Sequence, residues 1–208
     1  MIRLELLFED ESTENALRIL VPKIVGEEKA KAVKYRSFRG KYTLLKELPA
    51  FLKGYTKRIR QGERLRVLVL VDRDVEDCEV LKQKLESIAL QSGLITRSMA
   101  TTNTPFQILN RIAIEELEAW FLGDPEAIRQ AYPHAKEKVF QHIKRLPNPD
   151  AVMDAWEILE KILKDSGYRR DDLRKTQVAQ RIAHHMQPDR NRSRSFRIFR
   201  EGLSACLI

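Results

Sequence analysis

Apolar and polar positions alternate loosely over Ile2–Phe8 and again over Ala32–Phe38, which predicts two strands. Between them Glu9–Glu14 is an acidic turn. Ser12 or Thr13 can cap a helix that runs to about Leu20, ahead of Pro22. Leu45, Leu48, Leu52, Tyr55 and Ile59 recur at 3-4-3-4 spacing, a helix with one apolar stripe that Gln61–Gly62 breaks. Leu65–Val71 is apolar on both faces, as a strand inside a parallel sheet must be. Leu81, Leu85 and Ile88 mark the next helix, ended by Gly93. Leu94–Ala100 and Phe106–Ile114 then read as two more strands, and Glu115–Leu122 as the start of a helix.

Beyond Leu122 the strand signal stops. Asp124 with Pro125 has the form of a helix start, and Asn148-Pro149-Asp150 repeats it before Val152, Trp156, Leu159 and Leu163. Gly167 closes that stripe. Two further helices are predicted over about Gln177–Met186 and Ser195–Leu203. The rhythm predicts a doubly wound, mostly parallel α/β domain over residues 1–122 and a basic helical subdomain over residues 123–208. Trp120 and Trp156, both on apolar stripes, are expected in the core. In such sheets ligands bind at the carboxyl ends of the strands, which is where Glu9 and Asp72 fall.

Composition narrows the setting. The longest apolar run is the five residues Val67–Val71, so nothing spans a bilayer, and the amino terminus lacks the apolar region of a signal peptide. Cys78 and Cys206 stand apart without metal-binding spacing, which points to reduced thiols in the cytoplasm. The chain is basic, with 38 Lys and Arg against 30 Asp and Glu. Much of the excess lies late, in Arg169, Arg174, Lys175, Arg181, Arg192 and Arg194 among others. Guanidinium forks in that number suit phosphate contacts and make nucleic acid the expected partner. His184 and His185 are adjacent on a helix, point about 100° apart, and cannot chelate one metal together.

Against that background VLVLVDRDVEDC (67–78) stands out, because five carboxylates, Asp72, Asp74, Glu76, Asp77 and Glu79, follow an aliphatic strand in a basic protein. Such acids repel one another unless a cation or Arg73 relieves them. Glu76, Asp77 and Glu79 suit the first turn of a helix. Asp72 and Asp74 can converge above the sheet on a hard cation, Mg²⁺ or Mn²⁺, with Glu9 completing the site or acting as an acid or base. Glu116 and Glu118 share a face if extended, whereas Glu115 and Glu118 do so in a helix; Glu116, Glu118 and Glu14 form a second tier of acidic candidates.

Four stretches, LLFEDESTENAL (6–17), VLVLVDRDVEDC (67–78), RIAIEELEAWFLGDPEAI (111–128) and KTQVAQRIAHH with RSRSFRIF (175–199), carry a resemblance. The chain resembles stand-alone TOPRIM-like proteins catalogued as domain of unknown function 4276, related to OLD-type nucleases. The resemblance implies that Glu9 is the TOPRIM glutamate and that Asp72 and Asp74 hold Mg²⁺. It also implies hydrolysis of nucleic-acid phosphodiesters, and a place beside an ATPase subunit in bacterial anti-phage systems. Two departures stand against it. Asp10 occupies the usual glycine position after the glutamate, and the glycine-rich continuation after Asp74 is missing. Alternatives are a phosphotransfer protein of the HAD or receiver type, and a catalytically silent partner of nucleic acid or an ATPase.

Overall fold

A computed structural model describes residues 2–135 and 137–208. Four strands, β1 (Arg3–Phe8), β2 (Val33–Ser37), β3 (Leu65–Asp72) and β4 (Ile108–Ala113), form one sheet in the order β2-β1-β3-β4. All three pairings are parallel. The crossovers are α1 (Glu11–Val25) with the single turn α2 (Glu27–Ala30), then α3 (Lys41–Arg60), then α4 (Cys78–Gln91). The fold is therefore the α/β architecture the pattern predicts, with helices on both faces.

Period-2 alternation divides the core. Leu4, Leu6, Phe8, Leu68 and Leu70 face α1 and the later helices, whereas Leu7, Val67, Val69 and Val71 face α3 and α4. The chain leaves β1 for β2 on one side and returns past it to β3 on the other. Glu9 and Asp72 thus end the two strands that flank the switch point, where a crevice opens in sheets of this kind.

The carboxy-terminal part comprises α5 (Glu118–Leu122), α6 (Pro125–Ala131), α7 (Glu137–Arg145), α8 (Ala155–Asp165), α9 (Lys175–His185) and α10 (Arg194–Cys206). Its apolar residues, from Trp120 through Phe196 and Phe199 to Leu207, belong to the same buried cluster as Leu4 and Leu17. The core runs without interruption across residues 122 and 123. Trp120 is fully buried and donates its indole N–H to Ser195 at 2.8 Å, while Trp156 packs partly buried against the cluster.

Several boundaries differ from the sequence expectation. Asp10, not Ser12 or Thr13, caps α1, accepting from the Thr13 amide at 2.8 Å. The helix also continues through Pro22 to Val25. Proline forfeits one backbone bond, but Leu17, Leu20 and Val21 are fully buried and hold the segment helical. Leu94–Ala100 is not a strand: one isolated parallel bridge joins Thr96 to Ile108, and the Asn110 carbonyl on that edge takes the Lys82 ammonium at 2.8 Å. Asn148-Pro149-Asp150 opens a short 3-10 turn (Pro149–Ala151) before α8, which starts only at Ala155. Glu115–Glu116 is not helical either, because Glu115 takes φ 61° and α5 begins at Glu118. No helix among the described residues is long and apolar enough to cross a membrane.

One polar cluster ties the carboxy-terminal helices together. Asp124 is fully buried, caps α6, accepts the Gln187 amide at 3.0 Å, and is gripped by both arms of Arg190 at 2.7 and 2.9 Å. Removing the guanidinium leaves a buried carboxylate short of charge compensation. Arg190→Ala is expected to lower the unfolding free energy by about 3–5 kcal/mol, measured by urea titration.

Candidate functional site

The ends of β1 and β3 are joined by one directional contact. The Asp72 backbone N–H donates to Glu9 Oε1 at 2.8 Å. Glu9 and Asp72 therefore meet at the carboxyl ends of neighbouring strands, as their strand-end positions predict. Burial raises the Glu9 carboxyl to about 7, against the Asp72 amide and the charge of Lys41, which favour the anion. Asp74 and Asp10 add repulsion in the same direction as burial. Asp72 lies on the α1 side of the sheet; burial, then the charges of Glu9 and Glu118, push its carboxyl well above the usual range.

Glu118, at the start of α5, completes this inner group. It is 1% exposed, and burial raises it to about 7 despite Lys175. Neither Glu118 oxygen finds a hydrogen-bond donor of good geometry; Lys175 Nζ meets Oε2 as an ion pair at 3.3 Å. Lys175 itself opens α9. Burial opposes its charge, but Glu118, Glu116 and Asp72 outweigh that effect and hold the ammonium above its usual value. Glu118 thus stands beside Asp72, whereas Glu116, close enough to act on Lys175 and Glu118, accepts the Trp156 amide at 3.1 Å, at the start of α8.

Asp74 is on the other side. It has φ 50°, a left-handed conformation that short polar side chains tolerate better than others. Its carboxylate pairs with Lys41 Nζ at 2.7 Å, and the same ammonium reaches Glu76 at 2.9 Å and the Arg73 carbonyl at 3.1 Å. Burial works against Lys41, but Asp74, Glu76 and Glu9 raise it. Relief of the acidic loop thus comes from Lys41, while Arg73 pairs with Glu115 instead. Sequence reasoning passed over Lys41, although it lies four residues past the end of β2, at the same edge as Glu9 and Asp72. Asp77 caps α4, accepting from the Glu79 and Val80 amides, as its position in a first turn suggests. Glu14 lies apart, holding Arg18 and Ser37.

The late cations divide by task. Lys175 reaches the acids. Arg192 donates to the carbonyls of Ile143, Lys144 and Leu146, closing the end of α7. Arg181 lies over the Tyr132 ring at 5.2 Å. Arg169, Arg174 and Arg194 are exposed, the last lining a 290 Å³ cavity with Cys78 and Lys82 on the β4 side. His184 is exposed and has no contact with the acidic group; its carbonyl accepts from Lys23.

Among the described residues, no three Asp, Glu, His or Cys side chains are already gathered tightly enough to hold a metal ion. The donor chemistry nevertheless fits a hard divalent cation, since the group is all oxygen and includes the buried Glu118 carboxylate, which has an ion pair but no hydrogen bond.

The family described as Domain of unknown function (DUF4276) matches residues 8–204, and the chain belongs to it. No curated protein matches the sequence. Among solved structures, the C-terminal region of the Burkholderia pseudomallei OLD protein is similar, with 16% identity, TM-score 0.54 and all of both chains covered. The C-terminal region of the Xanthomonas campestris pv. campestris OLD protein is similar too, with 15% identity and TM-score 0.51. That match covers 100% of this chain and 97% of the other. At such identities the likeness shows the fold.

The raised carboxyls have a measurable consequence. Glu9 binds its proton more tightly folded than unfolded, so between about pH 4.5 and 7 the native state holds more protons. Stability therefore falls as pH rises through that window. In chelator the melting temperature should drop between pH 5 and 8. Glu9 contributes on the order of 1–2 kcal/mol after allowance for partial exposure. Glu9→Gln should flatten the profile; an unchanged slope would show that Glu9 is not the group responsible.

Proposed function

We propose that the chain is a TOPRIM-like, Mg²⁺-dependent (or Mn²⁺-dependent) hydrolase of nucleic-acid phosphodiesters, as OLD-type relatives are expected to be. What carries the reading is the carboxylate group of Glu9, Asp72 and buried Glu118 at the switch point, with Lys175 beside it. A structural salt-bridge network has no need of three carboxyls pushed above their usual range at one strand-end edge, and such groups cluster at functional sites.

In this reading Asp72 and Glu118 would hold the cation, joined by Asp74 once it exchanges its Lys41 partner, while Glu9 would stay off the cation as the acid or base. When bound, the cation would polarise the phosphate and make a water more acidic. Glu9, with a carboxyl near 7, is suited to take or return a proton at neutral pH. Lys175 stays charged and offers positive potential to the phosphate oxygens. Lys41 keeps Asp74 and Glu76 from repelling an approaching polyanion.

Asp10 in the usual glycine place favours a second reading, a silent binding partner, because its side chain is committed to capping α1. Cleavage assays separate the two. Asp72→Asn is expected to abolish Mg²⁺-dependent cleavage of DNA or RNA. Glu9→Gln should cost about 10²–10⁴ in rate, the usual worth of a positioned acid or base. Wild-type protein that binds nucleic acid yet leaves it intact with Mg²⁺ and Mn²⁺ would favour the silent partner. Hydrolysis of a small phosphomonoester alone would favour the HAD-like reading. The ATPase partner follows from the family resemblance and is checked by co-purification.

A further inference from the structure

β2 is an edge strand, and a groove opens between it and α3. Two adjoining hollows of about 340 and 490 Å³ share Arg36 and Phe51 as lining. The Arg36 guanidinium lies 4.8 Å over the Phe51 ring, and Phe38 meets that ring edge-on at 5.4 Å. Tyr55 and Arg58 line the first hollow, where Arg58 is committed to Glu5 and Glu63. Arg39 lines the second with one carboxylate, Glu47. Arg36 and Arg39 are exposed, and neither forms an ion pair among the described residues.

A short, fixed segment links the groove to the acid cluster. The Phe38 amide donates to the Phe8 carbonyl at 3.1 Å, and the Gly40 amide to the Glu9 carbonyl at 2.9 Å. Gly40 has φ 91°, a conformation glycine adopts readily, and it turns the chain into α3. The next residue, Lys41, already holds Asp74 and Glu76. One end of residues 38–41 therefore lines the groove and the other touches the acids.

An exposed guanidinium held over an aromatic ring offers a planar cation on which an unpaired base can stack. A cationic groove with such platforms fits single strands, whose bases are free to stack, better than a duplex, whose bases are not. We propose that the groove between β2 and α3 is a track for a single strand of nucleic acid leading to the acid cluster. Arg36 stacks a base there and Arg39 meets a backbone phosphate. This rests on the hydrolase reading for the destination of the strand, but binding can be measured without cleavage.

The test is anisotropy of a labelled oligo-dT of about 15 nucleotides, near the upper site size of such grooves. Wild-type protein is titrated in chelator, and the Asp72→Asn protein in Mg²⁺. Arg36→Ala with Arg39→Ala is expected to weaken binding about tenfold or more and to lower the log–log salt slope by about 0.7 for each phosphate no longer neutralised. Both residues are exposed, so the melting temperature should fall only by the small amount that loss of the Arg36–Phe51 contact costs. Arg36→Lys keeps the charge but removes the plane, and should weaken binding with the slope unchanged. Lys57→Ala, elsewhere on α3, should bind as wild type. Single-strand binding that survives the double substitution overturns the track and leaves the hydrolase reading standing. Preference for duplex also overturns it, and no binding under either condition overturns both.

Discussion

The hydrogen bond from the Asp72 amide to the Glu9 carboxylate joins β1 and β3 where the chain reverses its direction of winding. Both strands are almost wholly buried, so their side chains have little freedom until the sheet ends. The first polar side chains past that limit are Glu9 and Asp72, and they emerge together. Everything that gives the crevice its chemistry depends on this juxtaposition.

Keeping carboxylates together there is unfavourable, and the fold offsets it by two separate cations. Lys175, brought by α9 from more than a hundred residues away, serves the inner pair of Asp72 and Glu118. Lys41, at the start of α3, serves the outer pair of Asp74 and Glu76. The two aspartates of the Asp72-Arg73-Asp74 run thus face different partners, because the left-handed turn at Asp74 redirects the chain. Burial outweighs those cations in the inner group, which raises the Glu9 and Glu118 carboxyls to about 7.

The carboxy-terminal helices act as scaffold before they act as surface. Their arginines close helix ends, as Arg192 does, or neutralise a buried cap, as Arg190 does for Asp124. Guanidinium groups suit this because five donors in a planar fork can satisfy several carbonyl or carboxylate oxygens at once. Exposed arginines outside any ion pair among the described residues are found also on the β2 side, at Arg36 and Arg39, in a stretch (29–41) that carries six Lys and Arg and no Asp or Glu.

Local pattern was enough to read the parallel α/β core, because burial on both faces leaves an all-aliphatic signature such as Val67–Val71 that no surface strand has. It was also enough to place Glu9 and Asp72 at strand ends and to read Asp124 and Pro125 as a helix start. It misplaced what depends on partners distant in sequence. Pro22 stays helical because Leu17, Leu20 and Val21 are buried beneath it, and Leu94–Ala100 fails as a strand because its edge meets side chains instead of a ladder. Lys41 and the buried setting of Glu118 became visible only once α3 and α5 were packed against the sheet. The sequence by itself determined that Glu9 and Asp72 fall at strand ends, since strand ends follow from local alternation. Tertiary structure alone decided which of them are paired, buried or left with a proton, since those depend on distances between segments far apart in the chain.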